Sequence, residues 1–230
     1  MNYFNQNRKN VQALLYRHGF IVPIDDNLIL TETKKDSELK SVEIFDIPTT
    51  EFPISWAIDL EPKEKKGEEK KIYSAPPGFK TTETALIVLI NKRFHCFMFE
   101  LKSNKFDLNE IQQKFNDTAQ RIAFLLPIYN FNNAVFDNVQ LYFKGIVFYN
   151  QDNVDTITDE LKKTIFYKIL KGEEQTKRIS SENPILGNYK MDIDFIKNPN
   201  LNKNRNAFKI PFKQIYAKEI KNTDLQCPHA

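Results

Sequence analysis

Glu100-Leu101-Lys102 is the stretch of this chain best suited to chemistry on a charged substrate. In an extended strand the side chains alternate between faces, so the Glu100 carboxylate and the Lys102 ammonium project side by side while Leu101 turns the other way. A carboxylate offers hard oxygen ligands to a divalent cation, and a neighbouring lysine can orient a water or stabilise charge developing at phosphorus. The tripeptide alone says little, because an acid two residues before a lysine also occurs at Glu32, Glu38, Glu61, Glu64, Glu68, Glu69, Glu160 and Glu219. What sets Glu100 apart is the pattern around it.

Thr84 to Ile90 (TALIVLI) and Phe94 to Leu101 (FHCFMFEL) are two β-rich runs around the polar break Asn91-Lys92-Arg93, which predicts a hairpin. A turn on Asn91-Lys92 opposes Ile90 to Arg93 and therefore Glu83 to Glu100. Carboxylates on opposed residues, with backbones about 5 Å apart, repel unless a cation lies between them, and a divalent metal ion is the natural one. A three-residue loop would instead set Thr84 across from Glu100.

The flanking elements follow from periodicity and capping. Ile54 to Leu60 reads as a preceding strand, and Glu61 to Lys71, alternating Glu and Lys, reads as a solvated loop. Asp107 can cap a long helix whose face is marked by Leu108, Ile111, Phe115, Ile122, Leu125 and Tyr129, with Pro127 near its end. Val139 to Tyr149 is a further strand. Short helices are expected at Asn10 to His18, stopped by Gly19, and at Asp159 to Lys171, stopped by Gly172. Weak strand signals lie at Asn27 to Leu30 and Ser41 to Ile47, and the C-terminal part holds a strand-like Ala207 to Phe212 and a short helix around Gln214 to Ile220.

Glu83 to Leu89, then Phe97 to Lys102, then the helix bearing Gln112 and Gln113, then Val139 to Tyr149, resemble the core of the PD-(D/E)XK (restriction-endonuclease-like) nuclease superfamily. The resemblance covers roughly residues 54–149, with Asn10 to His18 in the place of the leading helix. It implies an α/β fold with a mixed central β-sheet flanked by helices, in the order helix, three strands, helix, strand. It also implies a nuclease using Mg2+ or Mn2+, with Glu83, Glu100 and Lys102 as catalytic residues and with Glu83, Glu100 or Asp59 as metal ligands. The family's first acid is usually Asp, and Thr84 stands at that position here. Either Glu83 substitutes for it, or Asp59 on the preceding strand supplies the acid, or the site has lost it. Gln112 or Gln113 could reach the site from the helix, and Lys105 lies beside it in sequence.

Composition bounds the remaining classes. The chain has 230 residues, 41% hydrophobic and 27% charged, enough for one domain with a substantial core. We read residues 54–149 as the core of that domain and residues 150–230 as a C-terminal helix and basic extension. No apolar run is long enough to span a membrane, and the polar N-terminus carries no signal core, so a cytoplasmic protein is expected. Cys96, Cys227, His18, His95 and His229 are too scattered for a zinc site or a disulfide framework.

The net charge of +3 is weak, but from Lys197 to Lys221 seven Lys or Arg face only Glu219, a local +6. Phe208, Phe212 and Tyr216 interleave there with Lys209 and Lys213, a pattern suited to stacking on bases while contacting phosphates. The partner expected is nucleic acid, DNA before RNA; the oligomeric state is left open, and a homodimer is compatible. Two other readings compete: a nucleic-acid-binding relative of the same fold without catalysis, and a structural or partner-binding protein whose basic tail docks on an acidic surface.

Overall fold

The computed structural model describes residues 21–24, 26–32, 34–47, 55–59, 82, 84–90, 93–102, 107–128, 140–150, 175–183, 187–200 and 203–220. The main sheet takes β1 (Ile21–Pro23), β4 (Ser55–Asp59), β5 (Thr84–Ile90), β6 (Arg93–Lys102), β7 (Gln140–Tyr149), β8 (Thr176–Asn183) and β9 (Gly187–Lys197). Their order across the sheet is β1-β4-β5-β6-β7-β9-β8. A second sheet, in the order β10-β3-β2, joins β2 (Leu28–Thr31), β3 (Ser41–Phe45) and β10 (Ala207–Pro211). Helix α1 spans Leu108–Ile128 and α2 spans Phe212–Ile220. The fold is therefore mixed α/β, with two mixed sheets and few helices among the described residues.

The β5–β6 hairpin has the even register expected from its polar break: Ile90 opposes Arg93, and the pairing runs without slip to Thr84 opposite Phe99. On the far side β4 is antiparallel to β5, whereas β7 runs parallel to β6 and β9 parallel to β7. A parallel neighbour requires a crossover, and α1 lies in the connection between β6 and β7.

The two faces of the sheet have different partners. Leu86, Val88, Phe97, Phe99, Leu101, Ile146 and Phe148 bury against the small sheet and α2. There Phe208 meets Phe148 edge-on at 5.6 Å and Phe212 meets Phe97 edge-on at 5.5 Å. Ile111, Phe115, Ala119 and Ile122 of α1 are also fully buried, and Phe115 packs against the opposite face of the main sheet beside Gly145. A β-carbon on Gly145 would stand 3.1 Å from the Phe115 ring and from Ile193 Cγ1, so α1 sits as low on the sheet as a glycine permits. Alternation fixes which side chains face α1: a one-residue slip of β6 would drive Glu100 and Lys102 into the apolar layer that holds Phe97, Phe99 and Leu101.

Residues 150–230, read as a C-terminal helix and basic extension, also supply strands to the main sheet: β9 pairs with β7 along Lys144–Asp192 to Tyr149–Lys197 and β8 completes that edge. β10 pairs in parallel with β3, from Ala207–Ser41 to Pro211–Phe45, tying distant parts of the chain into one sheet. The helices expected at residues 10–18 and 159–171 lie outside the described residues. No described helix is long and apolar enough to cross a membrane.

Candidate functional site

Helix α1 starts where the sequence says it should. Asp107 Oδ1 accepts hydrogen bonds from the backbone N–H groups of Asn109 and Glu110, at 2.9 and 3.1 Å, an N-cap that sets the phase of everything after it. From that phase, at about 100° per residue, Ile111, Phe115, Thr118 and Ile122 form the buried stripe and Lys114 falls along its edge. Gln113 falls on the far side and is exposed, and Gln112 flanks the stripe and is half-buried.

The side chain from α1 that reaches the hairpin is Lys114. Its Nζ lies 2.5 Å from Glu100 Oε1, and Lys102 Nζ lies 3.0 Å from the same oxygen. Glu100 is 1% exposed, while both lysine side chains retain 14% exposure, so the carboxylate sits at the floor of a small cationic recess. Its second oxygen, Oε2, is buried and has no hydrogen-bond partner among the described residues. Leaving a charged oxygen in that condition is costly, and strand ends that do so are candidates for binding something. One helical turn beyond Lys114, Thr118 Oγ1 accepts the backbone N–H of Thr82 at 2.9 Å and lies 3.3 Å from the Thr82 hydroxyl. Through Lys114 and Thr118, α1 thus holds both the end of β6 and the approach to β5.

Of the residues expected at the site, the structure brings Glu100 and Lys102 together on one face of β6. Glu83 and Lys105 lie outside the described residues. Asp59 pairs with Thr84, which pairs with Phe99, so its backbone is one register step out of phase with Glu100. Among the described residues, no three His, Cys, Asp or Glu side chains cluster to hold a metal ion. The donor that fits a hard divalent cation is Glu100 Oε2, an orphaned carboxylate oxygen, and a second acid has to join it.

The basic C-terminal segment is placed differently from its expected role. Phe208 and Phe212 are core residues, 4% and 2% exposed, because they fill the layer between the two sheets and are not available to stack on bases. Lys209 is exposed, but its Nζ sits 2.6 Å from Glu43 Oε2 on the paired strand β3. Lys213 is exposed on α2. Both belong to the layer on the side of the main sheet opposite Glu100.

Lys114 was the residue missed, and a signal for it existed: a lysine along the edge of an otherwise apolar helical stripe must find an acid in the layer below. A second charged cluster lies on the other face of the sheet. Buried Lys144 has its Nζ 3.3 Å from Asp194 Oδ2, whose other oxygen accepts the Thr176 hydroxyl at 2.6 Å. Beside it the Arg178 guanidinium clamps Asp192 at 2.7 and 2.8 Å, which raises the arginine pKa through hydrogen bonding and charge. These pairs neutralise one another and staple β8 to β9 and β9 to β7.

Set against models of protein families, curated proteins and solved structures, this chain matches none. The functional reading therefore rests on the geometry around Glu100.

Proposed function

We propose that this chain is a metal-dependent nuclease hydrolysing phosphodiester bonds, in DNA rather than RNA. The observation that carries the reading is the Glu100 carboxylate, buried at the end of β6, with one oxygen shared by Lys102 and Lys114 and the other without a partner among the described residues. The order of three antiparallel strands, a helix and a strand parallel to the third, in β4, β5, β6, α1 and β7, supports it as well, being the order the PD-(D/E)XK resemblance implies.

Mg2+ or Mn2+ held by Glu100 Oε2 together with Glu83 would supply acidified water and a Lewis acid for a phosphate oxygen, whereas the register of Asp59 through Thr84 to Phe99 sets it on the other face of the sheet. The chain's own residues divide the remaining work. Lys114 is anchored on a rigid helix and orients the carboxylate. Lys102, on the last residue of β6, keeps part of its surface in solvent and can turn from Oε1 to a phosphate oxygen on which charge develops. Burial by α1 and β6 lowers the local dielectric and strengthens both contacts. A cytoplasmic setting belongs to this same reading.

The test is cleavage of supercoiled plasmid by the full chain with Mg2+ or Mn2+, stopped by EDTA, and abolished in Lys102→Ala while binding persists. Parental-rate cleavage by Lys102→Ala removes that lysine from the mechanism. A second reading, a nucleic-acid-binding relative without catalysis, is favoured by the fact that Glu100 is the one acid at the described site and carries two cations. Salt-sensitive DNA binding with no cleavage under any divalent metal would select it.

A further inference from the structure

The two oxygens of the Glu100 carboxylate stand in opposite circumstances. Oε1 faces two ammonium groups, Lys114 Nζ at 2.5 Å and Lys102 Nζ at 3.0 Å. A carboxylate oxygen offers about two lone-pair sites, so these contacts use what Oε1 has to give. Oε2 is buried and has no hydrogen-bond partner among the described residues. A hard cation arriving at Glu100 therefore finds one oxygen open and the other closed.

The two lysines do not hold Oε1 in the same way. Lys102 is the last residue of β6, and the nuclease reading turns it toward a phosphate oxygen. Lys114 lies in the second turn of α1, whose start is fixed by the Asp107 cap and by a hydrogen bond from the Ile111 N–H to the Asp107 carbonyl at 2.9 Å. Ile111 and Phe115, three residues before Lys114 and one after it, are fully buried, and the Phe115 ring rests over Gly145. The backbone that carries Lys114 is thus clamped on both sides, and the side chain keeps only 14% exposure. Lys114 is the cation that stays on Oε1 when Lys102 leaves.

We propose that Lys114 determines how Glu100 holds a divalent cation: it bars Oε1, restricts the carboxylate to coordination through Oε2 alone, and holds the affinity for Mg2+ or Mn2+ below what the free carboxylate would give. This rests on the metal-dependent reading above and adds to it the residue that sets the strength of metal binding. Two effects act in the same direction. Coordination by both oxygens requires an ammonium to be displaced from Oε1, and coordination by Oε2 alone leaves the metal repelled by a positive charge on the same carboxylate, where burial keeps screening by salt weak. A lysine that served only to support the fold would have the opposite signature, because its loss would loosen the carboxylate and weaken metal binding.

Mn2+ binding to the full chain, without DNA, is read from the electron paramagnetic resonance signal of the free ion, so that no result depends on cleavage. Lys114→Met keeps the length of the side chain and removes its charge, and it is expected to bind Mn2+ about tenfold more tightly than the parent. Lys114→Gln should tighten binding in the same direction and stands in if circular dichroism shows that the methionine variant has not folded. Lys114→Arg retains the charge and should restore an affinity near the parental one, while Glu100→Gln should remove binding in the parental and Lys114→Met backgrounds alike. Equal affinity in the parent, Lys114→Met and Lys114→Gln, with loss in Glu100→Gln, overturns the role of Lys114 and leaves a metal site at Glu100 standing. Weaker binding in the Met and Gln variants overturns it too and makes Lys114 a support for the carboxylate. Binding that survives Glu100→Gln, or no Mn2+ binding by any of these proteins, overturns it together with the metal site on which the nuclease reading relies.

Discussion

Two ammonium groups on one buried carboxylate oxygen make a specific energetic prediction. With an effective dielectric constant near 20, the 2.5 and 3.0 Å contacts correspond to gross attractions of about 5 to 7 kcal/mol each, most of it offset by removing a carboxylate from water. Lys102→Ala or Lys114→Ala alone leaves one cation in place, and each is expected to cost about 1 to 2 kcal/mol. The double substitution strands the charge of a side chain that is 1% exposed, and its expected cost is about 3 to 5 kcal/mol, more than the sum of the singles. Adding Glu100→Gln to the double variant should recover most of the loss, because a neutral amide tolerates the site better than an unpaired carboxylate. The assay is equilibrium unfolding in urea at neutral pH, comparing midpoints at constant slope. If the double variant loses only the sum of the singles, within about 0.5 kcal/mol, the two lysines do not share a carboxylate and the site as described does not exist.

Two further outcomes can be checked alongside. Burial pushes the Tyr149 hydroxyl above its ordinary pKa, so between the unfolded value near 10 and the higher folded value the unfolded chain has lost its proton while the folded one keeps it. Stability from this group is complete below about pH 10 and declines as pH rises through the folded value; Tyr149→Phe should flatten that part of the stability profile, and a profile as steep as the parent's would refute the assignment. Asn198→Ala leaves Asn150 Oδ1 and the Asn200 N–H without their partner and should cost about 1 to 3 kcal/mol by urea unfolding, whereas a cost within experimental error would show that the segment following β9 is not held by this amide.

The parts of this architecture legible in the sequence are those governed by local rules. The polar break at Asn91-Lys92-Arg93 and the alternation on either side gave the hairpin and its even register, and Asp107 with its apolar spacing gave α1. What escaped depends on partners distant along the chain. Residues 176–183 (TKRISSEN) carry little apolar signal because β8 is an edge strand whose support comes from β9. Met191, Ile193 and Phe195 of β9 do alternate, but Asp192 and Asp194 between them and Lys190 and Lys197 around them masked a strand flanked on both sides by others. The parallel pairing of β10 with β3 leaves no local trace at all, which is why Phe208 and Phe212 looked free to stack when they are core. For the site, Glu100 and Lys102 followed from the two-residue period of a strand. Lys114 required a comparison across elements, between a cation on a helical stripe and an acid on the sheet beneath it.

Gly145 gives the recess a dependence that no charged residue reveals. The closeness of α1 to the sheet is gauged by a missing methyl group on β7, and Lys114 is the immediate neighbour of the Phe115 ring that rests there. A methyl group at position 145 would press on the ring and on Ile193, each of which would have to give by a few tenths of an ångström, and a lifted ring would carry with it the ammonium clasping Glu100, while Lys102 is anchored separately in β6. The balance between the two lysines would then pass from the helix to the strand, and more of the carboxylate would be free for other cations. Divergence within such proteins could therefore tune the charge state of the site through glycine and aromatic positions in the adjoining layer, with Glu100, Lys102 and Lys114 all unchanged.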